Sequence, residues 1–378
     1  MRLLQMLTYV LCLQAVTSVL ALDYVKLTRG GKEFEVAGKI EVEAVDGGVL
    51  LLARDGELWP IVKEELVSKR KDAVEFKPFS KSEMNKLLLA KHPGFKLHQT
   101  QHYTLCYNTS TAYAQWVGAL YERLYDGFHN FWEKKGIKLA EPELPLVALV
   151  FDSRENYQAH ARHELGDAVA TIIGYYSLQT NQVTMHDLTG LEGLGVKKGV
   201  ASATRINAIL SQPAAERNVA TIVHEATHQL AYNSRLQTRY ADIPFWVSEG
   251  LAVYFETPDL ESAKGWKRIG GVNQHNLVEF NKWLRERPTN SLATLLTDDK
   301  RFRDPKTAPA AYGEAWSMNY FLLRTRGDEY AEYLKKLAEL KPLVALEPSQ
   351  RLDMFKAAFG SDLEKLEAEF LKYMRSVN

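Results

Sequence analysis

The run Val223-His224-Glu225-Ala226-Thr227-His228-Gln229-Leu230 sets two histidines four positions apart around a glutamate. On a helix, residues four apart share a face about one turn apart, so both imidazoles can turn a nitrogen toward one cation. Glu225 is rotated off that face. Its carboxylate is then expected beside the cation's water rather than on the cation, which is where a general base is needed. Two histidines leave a tetrahedral Zn²⁺ one protein ligand short when a position is kept for water. Glu249 is the expected third. It lies in Phe245-Trp246-Val247-Ser248-Glu249-Gly250-Leu251-Ala252-Val253-Tyr254-Phe255, a helical segment with an apolar face where an acid is out of place without a cation. Gly250 and Ala252 are small and are expected to let this helix approach the first closely.

The elements that must hold these residues are legible in outline. The 378 residues are 46% hydrophobic and 11% aromatic, which excludes a mainly disordered chain. With 47 Lys+Arg against 47 Asp+Glu, net charge gives no ground for a nucleic-acid binder. Residues 1–21, with Arg2, the apolar stretch Leu3 to Leu20 and the small Ala21, read as a signal peptide. Export to the periplasm, cell envelope or exterior is therefore expected, with no stable membrane span after cleavage. Cys106 is then the one thiol left, so no intramolecular disulfide can form and the core or a metal must hold the fold.

Residues 22–80 alternate short β-branched runs with Gly-Gly and Asp-Gly turns and predict a small β-rich domain, with a partly open barrel as one form it can take. A helical connector follows over 81–100. Tyr103 to Tyr107 and the continuous apolar run Leu144 to Phe151 predict strands, the latter buried on both faces. The 3.6 period of Thr109 to Lys135 predicts a helix, and Ser153 caps another through Leu165. Thr171 to Leu178 and Gln182 to Asp187 read as a hairpin. From Ser202 on, helices dominate, over 213–233, 247–257, 275–287, 308–326, 328–340, 349–359 and 361–376. The class is α+β: residues 101–378 form one domain with a mixed-sheet half (101–212) and a helical half (213–378). The aromatics of Tyr113 to Trp132 fit a core. Cys106 and His102 share one strand face and suggest packing rather than a nucleophile pair.

His224, Glu225, His228 and the downstream Ser248-Glu249-Gly250-Leu251-Ala252 resemble the gluzincin metallopeptidases, the thermolysin-like and aminopeptidase-like branch of the zincins, and in particular the peptidase MA-like family of exported bacterial proteins. The resemblance covers residues 100–340 and implies a thermolysin-like domain. It implies a substrate-pairing antiparallel edge strand, for which Gln182 to His186 is the candidate, with His186 near the cleft or on that strand's surface. It also implies a Tyr or His against the tetrahedral intermediate, a place that Tyr312 matches better than His275. One departure stands out: the thermolysin branch carries an acid four positions after its ligand glutamate, and here Val253 occupies that place. Glu256 and Asp242 are the alternatives for orienting a histidine.

The resulting expectation is an exported zinc peptidase acting on peptide or protein substrates, with Glu225 as general base and Tyr312 as oxyanion donor. Endopeptidase action is favoured because no Gly-x-Met-Glu-Asn run for binding a substrate N-terminus is present. Two rivals remain. One is an exported binding or scaffold protein with a structural or vestigial zinc site; the other is hydrolysis of an amide in a cell-wall peptide or other non-protein substrate.

Overall fold

The described residues divide into two units, each with its own hydrophobic packing. The computed structural model describes residues 21–189, 202–212, 215–257 and 269–377. The expected signal peptide lies outside these residues except for Ala21, and so does Pro213, expected near the start of the histidine-bearing helix. One unit takes the described residues through Arg54 with Trp59–Pro78; the other takes Asp55–Leu58 and the described residues from Phe79 onward.

In the first unit, β1 (Ala21–Arg29), β2 (Lys32–Glu43), β3 (Val49–Ala53), β4 (Leu58–Ile61) and β5 (Leu66–Glu75) form one sheet in the order β4-β3-β2-β1-β5. Val25, Leu27, Val49, Leu51 and Ile61 build its core. The sequence had no alternation to betray β5, which is exposed along almost its whole length and rich in Lys, Arg and Asp. Such charge on an edge strand discourages further pairing.

The second unit opens with α1 (Lys81–Lys91), capped by Ser80, and then β6 (Lys96–Gln99). The expected connector 81–100 therefore needs correction, because its last residues pair antiparallel with β7 (Tyr103–Tyr107) and belong to the sheet. β7 leads into α2 (Thr111–Lys134) and β8 (Leu146–Phe151), then α3 (Arg154–Leu165), capped by Ser153 as expected. β9 (Gly174–Tyr176) and β10 (Gln182–His186) complete a mixed sheet of order β6-β7-β8-β10-β9, in which β7, β8 and β10 run parallel. Every residue of β8 is buried because both faces are covered: Leu146, Ala148 and Val150 enter the main core, and Val147, Leu149 and Phe151 a smaller one under α1 and α3.

This order overturns one expectation. β10 is not an edge strand: it lies between β8 and β9, and the three-residue β9 holds the edge. The resemblance implied an edge strand at Gln182 to His186, but its central residues are all buried and the strand pairs on both sides.

After α4 (Ala203–Leu210), the histidine helix α5 (Glu216–Asn233) packs across the main core with Val219, Ile222, Val223, Ala226 and Leu230. Gln229, fully buried, ties α5 to the sheet by donating to the carbonyls of Val147 at 3.0 Å and Asn181 at 2.9 Å. The helical part continues with α6 (Phe245–Glu256), α7 (Gln274–Trp283), the short α8 (Ser291–Thr297) and α9 (Lys300–Arg303), then α10 (Ala308–Thr325), α11 (Gly327–Ala338), α12 (Pro348–Phe359) and α13 (Leu363–Met374). The chain is thus mixed α and β, with a β-rich N-terminal region and a helical C-terminal part. Among the described residues, no helix is long and apolar enough to cross a membrane.

Candidate metal centre

Helical geometry does to α5 what its spacing demands. His224 and His228 point the same way, with their Nε2 atoms 3.1 Å apart. α6 crosses α5 and brings Glu249 between them: Oε2 lies 3.3 Å from His224 Nε2 and Oε1 3.5 Å from His228 Nε2. Among the described residues, these three are the one group of His, Cys, Asp or Glu side chains gathered closely enough to hold a metal ion. A tetrahedral ion bound at 2.0–2.1 Å needs donor atoms about 3.3 Å apart along each edge. These separations are of that order, with Glu249 meeting the two histidines through different oxygens, and one donor atom from each residue lies within 4.8 Å of the others, so the donor set suits a small divalent cation. The side chains keep 11–17% exposure, so solvent reaches the site.

The acids around the centre carry different loads. Burial alone would raise the Glu249 carboxyl, but the charges and hydrogen bonds of His228 and His224 hold it well below the usual carboxylate range. For His224, burial disfavours charge, but hydrogen bonds donated to Glu249 and Glu256 lift it well above the usual imidazole value. Glu225 behaves differently. Burial pushes its carboxyl above the usual range, with His224 and His228 opposing. Its Oε2 accepts the main-chain N–H of Tyr176 at 2.8 Å. Ser177 N–H donates to the Gln182 carbonyl, so the neighbouring Tyr176 N–H points off the sheet at the free edge of β9, where it meets Glu225.

The choice between Glu256 and Asp242 is resolved by position. Glu256 Oε2 lies 2.7 Å from His224 Nδ1, the ring nitrogen turned away from the centre. Asp242 is engaged elsewhere, by the guanidinium of Arg351 and the main-chain N–H of Leu346. Val253 is a core residue. His228 Nδ1 is 3.5 Å from Ser248 Oγ.

Tyr312, in the first turns of α10, reaches the centre: the negative charge of Glu249, together with burial, raises the phenol far above its ordinary value. Its ring packs edge-on against Phe302. The other sequence candidates lie elsewhere. His275 is exposed on α7, and His186 is half-buried against Tyr157, with Nδ1 on the Asp187 carbonyl. His102 turns to Glu122 at 2.6 Å and stacks on Tyr125, while Cys106 enters the smaller core, where burial pushes its thiol up to about 12. They form no nucleophile pair.

Gly250 requires a further correction. A Cβ there would stand 2.8 Å from the Ala315 carbonyl oxygen and 2.1 Å from Asn319 Nδ2, both on α10. The missing side chain therefore seats α6 on α10, not on α5. Glu314, two positions after Tyr312, was missed altogether as a structural element. It is fully buried and accepts from Arg287 Nε at 2.8 Å, Arg301 Nη2 at 2.7 Å, Ser291 Oγ and Trp283 Nε1, locking the start of α10 to the preceding helices.

Residues 218–344 match a family described as a protein of unknown function, DUF1570, a stretch that contains His224, Glu225, His228, Glu249 and Tyr312. No curated protein matches the chain.

Proposed function

We propose that the chain is an exported, zinc-dependent peptidase of the gluzincin type, with a thermolysin-like arrangement in its second unit. One observation carries the reading: donor atoms of His224, His228 and Glu249 converge within 4.8 Å of one another, while Glu225 sits beside them without joining the donor set. His224 and His228 would hold the ion through Nε2, and Glu249 through its carboxylate. Zinc, when bound, supplies Lewis acidity that lowers the pKa of water and polarises a carbonyl.

The chain's own residues do the rest. Glu225 takes a proton from the attacking water and returns it to the amine nitrogen as the C–N bond breaks. Burial supports this role by raising its proton affinity. The Tyr176 N–H fixes one carboxylate oxygen and leaves the other for the water. Tyr312, within reach of the centre through Glu249, donates to the developing oxyanion. A purely structural zinc site has no use for a glutamate held in this way, which favours hydrolysis over a scaffold role. The signal-like residues 1–21 support export.

The test is to incubate the zinc-loaded chain with a denatured protein and, separately, with cell-wall peptides, and to read the products by mass spectrometry. Cleavage of the protein that stops on chelation supports a peptidase. Cleavage confined to the cell-wall peptides moves the assignment to a non-protein amide, and the absence of new products from either abandons hydrolysis.

A further inference from the structure

Asn273 caps α7, and both ends of its amide are in use. Oδ1 accepts the Asn276 N–H at 3.1 Å, while Nδ2 donates to Glu256 Oε1 at 3.2 Å. The other oxygen of Glu256 is the one that faces His224 Nδ1. A helix cap needs only an acceptor, and Ser, Thr or Asp serves as well as Asn. Asparagine differs from Asp in offering a donor as well, and from Ser and Thr in carrying that donor on a longer amide that reaches a carboxylate while the oxygen caps the helix.

The route that delivers Asn273 is itself tied down. Gly270 has φ +80°, and a Cβ there would stand 2.0 Å from the hydroxyl of Tyr254 on α6. Arg324 of α10 donates to the Gly270 carbonyl at 2.7 Å. Asn273 is 8% exposed and therefore has little freedom to turn away.

We propose that Asn273 is a positioning residue of the metal centre, acting through Glu256 to fix the ring of His224. The inference rests on the reading of His224, His228 and Glu249 as zinc ligands. A glutamate is long and rotatable, so holding one oxygen on Nδ1 of a ligand histidine requires something to hold the other. That hold sets both the ring's orientation and its strength as a donor.

The experiment titrates zinc into the metal-free full chain and records cobalt absorption spectra for wild type, Asn273→Asp, Asn273→Ser, Glu256→Gln and the double variant Glu256→Gln/Asn273→Asp. Both substitutions at 273 keep an acceptor for the α7 cap and lose the amide donor; the serine is neutral, so charge repulsion is not the cause of its effect. In the double variant the new amide at 256 can accept from His224 and donate to the new carboxylate at 273, restoring the chain of hydrogen bonds. Asn273→Asp and Asn273→Ser are expected to weaken zinc binding by roughly tenfold or more and to shift the cobalt bands. Asn273→Asp made in the Glu256→Gln background is expected to cost less than about threefold. Equal losses in both backgrounds, or no loss beside the native glutamate, overturn the proposal while leaving the metal site standing. A wild-type chain that binds no zinc takes down the metal reading and this inference together.

Discussion

The main-chain N–H of Tyr176 and the carboxylate of Glu225 are joined by a hydrogen bond of 2.8 Å, which links the free edge of the mixed sheet to the helix that carries both histidines. Because β9 is the last strand of the sheet, its outward amide can meet a side chain from α5 where a wider sheet would have placed another strand. The bond fixes an acid that lies outside the group formed by His224, His228 and Glu249. It also ties the site's geometry to the strand order: the sheet must end at β9 for Glu225 to be held.

Gly250→Ala is expected to lower stability by about 1–3 kcal/mol, because the added methyl meets the main-chain oxygen of Ala315, which cannot swing aside as a side chain can. Denaturant unfolding of the metal-free chain measures this. An unchanged midpoint would show that α6 and α10 can separate freely.

Glu314→Ala removes a fully buried acid from between Arg287 and Arg301. Arg301 then loses its ion pair and Arg287 keeps only Glu367, in a site with little access to water, a loss expected to cost about 3–5 kcal/mol. Thermal unfolding reads the effect. A small change would mean that the arginines find other partners and that the start of α10 does not depend on this cluster.

Tyr312→Phe keeps the ring that packs on Phe302 and removes the hydroxyl that faces Glu249. If the hydroxyl serves the oxyanion, kcat falls by roughly 10² to 10³ with KM little changed. Full activity in this variant would reduce Tyr312 to a packing residue.

The histidine pair and Glu225 were legible in the sequence because helical periodicity is local: four positions make nearly one turn whatever surrounds them. Glu249 was legible for a related reason, an acid in a helical segment whose buried face is supplied by Val247, Leu251, Tyr254 and Phe255. The choice of Glu256 over Asp242 was not, since it depends on where the end of α6 lies relative to α5. The edge position of β9 was hidden too. Strand order is set by the α3 crossover that lays β10 parallel to β8, and no pattern inside Gln182 to His186 records it. The donor to Glu225 is a main-chain amide, which leaves no signature in residue type. α8 and α9 were missed because seven and four residues are too few to show a period.

The most direct test compares wild type with Glu225→Gln in two measurements on the same preparations: zinc bound per chain, and hydrolysis of a denatured protein followed by mass spectrometry. The substitution keeps the shape of the side chain and leaves His224, His228 and Glu249 in place, but removes the base. Both proteins are predicted to bind one zinc each, and only the wild type to cleave. Equal cleavage by the two would contradict the account.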